Sequence, residues 1–372
     1  MITASPHMAA LMLLSIAAAG WYIASRTAAD ALAGAAAAPG RRAVGHAIPV
    51  LAVAMMGVLI GRADLAIGVI FATSVAALTL VLGIITVSAN HTLATSSRRL
   101  WGFVLPVALI SLLIGFSSAI GWVQALMLLL EGVFLLLLWN DPRSPAAAAT
   151  QEPVPVEPLV ADPSARSMAR RLTQLFFALF AAAIASWAGL VWARQVSGQL
   201  GIPGFGLVAA LMLAPALVLS MIGSGSHAAS EGHFDHAAAQ LVGFVLINLC
   251  AILPLMAMLW ITRPMWHGAI QQAYASAVDR QNAPAAPLVP AHAPATTSTS
   301  RPASDDAAAQ DAEPGALPYP ISVWRVDTVL LIAIGLLLLP VALNRWTLAR
   351  AEGIGLIAAY VMYMVLTTLM AR

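Results

Sequence analysis

The chain has no lysine, a single cysteine and little charge of either sign: only 9% of its 372 residues are charged. A soluble domain carries roughly 25% charged residues, so this chain cannot clothe a water-soluble globule. Cys250 stands alone inside an apolar run, which excludes a disulfide within the chain and any cysteine-based metal cluster. There is no basic run with interleaved aromatics, and nucleic acid drops out of the partners to consider. No cluster of positive charge precedes the first apolar run. Residues 8–25 therefore read as a membrane span rather than a secretory leader.

What the chain does have is apolar sequence in long blocks, with 60% hydrophobic residues and a mean hydropathy of +0.87. Blocks able to cross a ~30 Å hydrocarbon core fall at about 8–25, 44–61, 65–89, 171–193, 202–222, 237–262, 323–344 and 351–370. The block 100–139 is roughly twice what one helix needs. The segment from Gly115 to Gly121 is the natural place for it to turn. The expectation is an all-α membrane protein of about ten transmembrane helices, with the lipid bilayer as its main partner. Residues 141–169 and 264–322 are rich in Pro, Ala, Ser and Thr and read as disordered linkers. They leave a first unit at 1–140 and a second at 170–372, with five helices in each.

Arginine sets the orientation, because short cytoplasmic loops retain basic residues. Arg26, Arg41, Arg42, Arg98, Arg99, Arg143, Arg166, Arg170, Arg171, Arg345 and Arg350 fall on one side. Arg62, Arg194 and Arg372 oppose them, with Arg263, Arg280, Arg301 and Arg325 in or beside the long 264–322 loop. The first side is expected to face the cytosol, with both termini in the periplasm. An Ala-rich, lysine-free composition suggests a GC-rich bacterium and its inner membrane.

The two halves look alike. Asp64 opens the third span and Asp235 the eighth, while Glu131-Gly132 lies in the fifth and Glu352-Gly353 begins the tenth, beside Arg350 where an acid suits the helix dipole. Five spans per half is an odd number, so the second half enters the membrane inverted, which is a transporter architecture. Several segments then resemble the sodium/calcium exchanger family of the cation/calcium exchanger superfamily. They are Asp64-Leu-Ala-Ile-Gly68 through Ala72-Thr73-Ser74 and Ala77, Asp235 through Gln240, Gly243, Phe244 and Asn248, and Arg350-Ala-Glu352-Gly353 followed by Tyr360 and Tyr363. Ala29-Asp30-Ala-Leu32-Ala-Gly34-Ala35 and Leu200-Gly201-Ile202-Pro203 resemble further family segments. The resemblance implies two inverted five-helix repeats around a midplane ion site.

The departures are as informative. In the family each repeat carries Gly-Thr-Ser-x-Pro-Glu, whose glutamates bind the ion. Here the second repeat offers Met212-Leu213-Ala214-Pro215-Ala216, and the first either reads Gly45-His46-Ala47-Ile48-Pro49-Val50 or lacks the segment. Calcium wants six to eight oxygens with carboxylates among them, so the usual calcium site is expected to be lost. The residues left for an ion pathway are Asn248, Thr73, Ser74, Gln240, Pro215 and Glu131. Asn248, Thr73 and Ser74 have a plainer reading as helix-packing hydrogen bonds, and Pro215 as a kink.

His227, Glu231, His233, Asp235 and His236 place five potential metal ligands in ten residues, of the kinds that suit zinc, nickel or cobalt. Their plainer reading is a solvated polar loop. No cofactor is indicated beyond a possible bound cation: sodium, a proton or a transition metal. Three functions compete: a divergent cation transporter, a transport-inactive scaffold with some other membrane partner, and, least supported, a membrane metalloenzyme.

Overall fold

The computed structural model describes residues 6–33, 39–88, 99–117, 119–140, 165–200, 205–265, 316–318, 324–343 and 345–370. They are almost entirely helical. Away from water a backbone must satisfy its own N–H and C=O groups, and a helix does so within one segment. The helices are α1 (Pro6–Ala33), α2 (Pro39–Leu59), α3 (Ala63–Ser88), α4 (Trp101–Gly115), α5 (Trp122–Asn140) and α6 (Ala165–Leu200). Then come α7 in two pieces (Phe205–Leu217 and Leu219–Ser230), α8 (Phe234–Met265), α9 (Val329–Ala342) and α10 (Arg350–Met370). Among the described residues, six helices are long and apolar enough to cross a membrane unaided. Parts of α4, α5 and α9 are shorter apolar helices.

Two helices form the centre. The apolar window of α3 is 94% buried and that of α8 is 72% buried, against 28% for α10. A helix apolar on every side is a core helix, and α3 shows no polar face at all. It packs against α2 and α7, while α8 packs against α2 and α1 packs against α6. At its far end α3 meets α10 backbone to backbone. A Cβ on Gly83 would come within 2.7 Å of the Gly353 carbonyl, and one on Gly353 within 2.9 Å of that of Gly83.

The two central helices are built alike. Each follows a glycine at positive φ, Gly61 at +76° and Gly232 at +86°, a conformation that glycine adopts without steric cost. Each then runs 14 residues as α-helix, Ala63–Ala76 and Phe234–Ile247, before five residues of π-helix at Ala77–Val81 and Asn248–Ile252. Both features are offset by the same 171 positions (232 − 61 and 248 − 77). π-bulges are rare and cluster at functional sites.

Three expectations need amendment. The linker read at 141–169 ends early, because α6 begins at Ala165. The linker read at 264–322 contains a strand, Leu317–Pro318, paired antiparallel with Ala119–Ile120 at the turn between α4 and α5; most of both segments lies outside the described residues. Glu131 and Glu352 are not equivalents: Glu131 sits mid-helix in α5, whereas Glu352 lies in the first turn of α10. There Glu352 Oε2 accepts a hydrogen bond from the Ala349 N–H at 2.9 Å. That is a cap, favoured also by the helix dipole. The chain termini, Gly34, Ala35 and Gly201 to Pro203 lie outside the described residues.

Candidate functional site

The two central helices meet at Asn248, the first residue of the second π turn. Its amide Nδ2 donates to Thr73 Oγ1 at 3.2 Å and to Ser74 Oγ at 3.4 Å. The hydroxyl protons of that pair are already used. Thr73 donates to the carbonyls of Val69 (2.7 Å) and Ile70 (3.1 Å), and Ser74 to that of Ile70 (2.8 Å). Two oxygens whose protons are spent can only accept, so the NH2 side of Asn248 must face them. Its Oδ1 is left buried and without a hydrogen-bond partner among the described residues. Asn248, Thr73 and Ser74 are all fully buried.

The surrounding site positions are neutral. α2 runs unbroken through Gly45 to Val50 with Pro49 inside it, so the second span is full length. Val50 is fully buried, as are Ala77 and Phe244. Pro215 lies near the end of the first piece of α7, which stops at Leu217 before the chain restarts at Leu219. Lacking an N–H, Pro215 leaves the Leu211 carbonyl without its usual helical donor. Gln240 is buried on α8, with Nε2 unpartnered.

Glu131 stands on α5, which packs on the second π turn. There its neighbour Gly132 packs on Cys250 so closely that a Cβ would lie 2.8 Å from the cysteine Cβ. Both Glu131 carboxylate oxygens are buried and without hydrogen-bond partners among the described residues. An ionisable group in that position is expensive.

Two further buried polar groups escaped the sequence reading. Ser25 Oγ, His46 Nδ1 and Ser220 Oγ form a triangle with sides of 2.6, 2.6 and 3.0 Å that ties α1, α2 and α7 together. A histidine in an apolar span was the visible signal, but its partners come from distant parts of the chain. Asp327, 1% exposed, stands in a π turn just before α9 with neither oxygen hydrogen-bonded. The phenol of Tyr363 on α10 bears on it electrostatically. Here an acid inside the block 323–344 was the available signal.

The proposed metal ligands do not assemble. Among the described residues no three His, Cys, Asp or Glu side chains converge as a metal site. His227 pairs with Glu231 across one helical turn at 3.2 Å, both largely exposed. His227, Glu231, His233 and His236 line a cavity of about 400 Å³, but Asp235 is not among its lining residues. Arg26 and Arg42 line the same cavity, and their charge opposes a metal cation there.

No protein-family model matches the sequence, and no curated protein matches it either. Solved structures do. The sodium-calcium exchanger NCX_Mj aligns with a TM-score of 0.55 at 14% identity, over 95% of this chain and 97% of its own. The H+/Ca2+ exchanger CAX aligns with a TM-score of 0.60 at 10% identity, over 98% and 84%. Native YfkE aligns with a TM-score of 0.57 at 14% identity, over 98% and 91%. The chain has the exchanger fold.

Proposed function

We propose that the chain is a secondary transporter that moves a small inorganic cation by alternating access, without the acidic calcium site of its structural neighbours. The observation that carries this reading is Asn248 of one half hydrogen-bonded to Thr73 and Ser74 of the other, at one of two matched π turns. Transporter sites lie where the two repeats meet. The free Asn248 Oδ1, the carbonyl released by Pro215 and the Glu131 carboxylate are too few oxygens for calcium. A proton or sodium asks for less, and Glu131 can neutralise itself by taking up a proton. In this reading the chain is a multi-pass protein of a bacterial inner membrane. Its arginine-rich face is cytosolic, its termini are periplasmic and its units span 1–140 and 170–372. We assign no enzymatic activity.

The complete burial of Asn248, Thr73 and Ser74 favours a second reading, a transport-inactive scaffold of the same fold that serves another membrane protein. Thermal unfolding of the purified protein across a panel of cations separates the two. The transporter reading expects sodium or a pH change to shift the midpoint, calcium to have little effect, and Asn248→Ala or Glu131→Gln to abolish the shift. Indifference to every cation and to pH would leave the scaffold.

A further inference from the structure

The cavity that fails as a metal site has the composition of an anion site. We propose that it binds a phosphoryl group, carried either by free phosphate or by a lipid headgroup. The inference does not depend on what, if anything, the chain transports.

The cavity lies where α1, α2, α7 and α8 meet on the arginine-rich face. Arg26 comes from α1, Arg42 from α2, His227 from α7 and His236 from α8, with His233 just before it. Two guanidinium groups make the cavity positive at neutral pH whatever the imidazoles do. Its one acid, Glu231, is engaged by His227. Arg26 is held in place from its own helix, with Nη1 donating to the Tyr22 hydroxyl at 3.1 Å.

The orphaned donors point to the ligand. Among the described residues Arg42 Nε and His236 Nε2 are both buried without hydrogen-bond partners, and His236 Nε2 donates in the tautomer that carries its proton there. The charges of Arg42 and His233 both act on the His236 ring. A buried guanidinium N–H can only donate, and leaving it unmade is costly. The donors enter from separate helices. A planar carboxylate suits a single fork, whereas a tetrahedral oxyanion offers oxygens in several directions and suits donors converging from α1, α2 and α8. The volume of about 400 Å³ leaves room for whatever the phosphoryl group is attached to.

The test uses the full chain in nanodiscs. Thermal unfolding is followed in neutral phosphatidylcholine discs titrated with inorganic phosphate, with chloride at matched ionic strength as the control. A second arm replaces part of the lipid with phosphatidylglycerol. A saturable rise in midpoint with phosphate identifies a soluble ligand, and a rise with phosphatidylglycerol alone identifies the headgroup. In either case Arg42→Gln should weaken the effect about ten-fold or more, the loss expected for a charge-assisted hydrogen bond. Arg26→Gln, at an exposed position, should weaken it likewise and serves if Arg42→Gln does not fold. No saturable response in either arm, or a full response in both variants, overturns the proposal.

Discussion

The two central helices share a backbone and differ in chemistry. α3 and α8 each follow a positive-φ glycine and each break into a π turn at matching positions. Yet at the 171-residue offset Thr73 faces its equivalent in Phe244, and Asn248 faces its equivalent in Ala77. Each half keeps one polar position and fills the other with carbon. The surviving pair, Thr73 and Asn248, bond to each other across the interface. The two halves thus share a backbone geometry while their side chains differ at matched positions.

Breaking the filled positions should have the largest effect. Phe244 is among the largest fully buried side chains, so Phe244→Ala should cost about 3–5 kcal/mol in denaturant unfolding. A cost near zero would mean that the position opens onto a cavity. Restoring symmetry the other way, Ala77→Asn would bury an amide without partners and should cost about 1–3 kcal/mol. A neutral Ala77→Asn would show that the first π turn retains a polar partner for it.

The glycines sharpen the comparison. Gly61→Ala and Gly232→Ala should each cost about 1 kcal/mol, and by nearly equal amounts if the turns are true equivalents. A Cβ at Gly61 would also run into the Arg263 guanidinium, a flexible group that can move aside. Arg62 is the smallest case. It holds Asp64 through two hydrogen bonds of 3.0 and 2.8 Å, and its counterpart in the second half is His233. Because both partners are more than a quarter exposed, Arg62→Ala should cost less than about 1 kcal/mol, with the loss shrinking in high salt.

The helices were legible because hydropathy reports on every residue of a span at once. The match between Asp64 and Asp235 was also readable, since each opens an apolar helix at the same distance from a glycine. Glu352 was readable as well, since Arg350 and the apolar run after it mark a helix start where an acid suits the dipole, and α10 begins there. Its pairing with Glu131 misled, because an acid followed by glycine recurs both in mid-helix and at a cap. The π turns carry no sequence mark that the pattern of apolar residues reveals. Clusters drawn from several helices were the least legible. Ser25, His46 and Ser220 are far apart in the chain, and the His227–His236 segment, readable either as a solvated polar loop or as metal ligands, meets Arg26 and Arg42 only in the fold.

The most direct test of the neutral crossing at Asn248 is cation flux into vesicles reconstituted with the purified protein. Proton, sodium and calcium movement should be followed for the unaltered chain and for Asn248→Ala. The expected result is proton or sodium flux that Asn248→Ala reduces about ten-fold, the worth of one buried hydrogen bond, with no calcium uptake. Rapid calcium uptake by the unaltered chain, or no flux of any of the three, would contradict it.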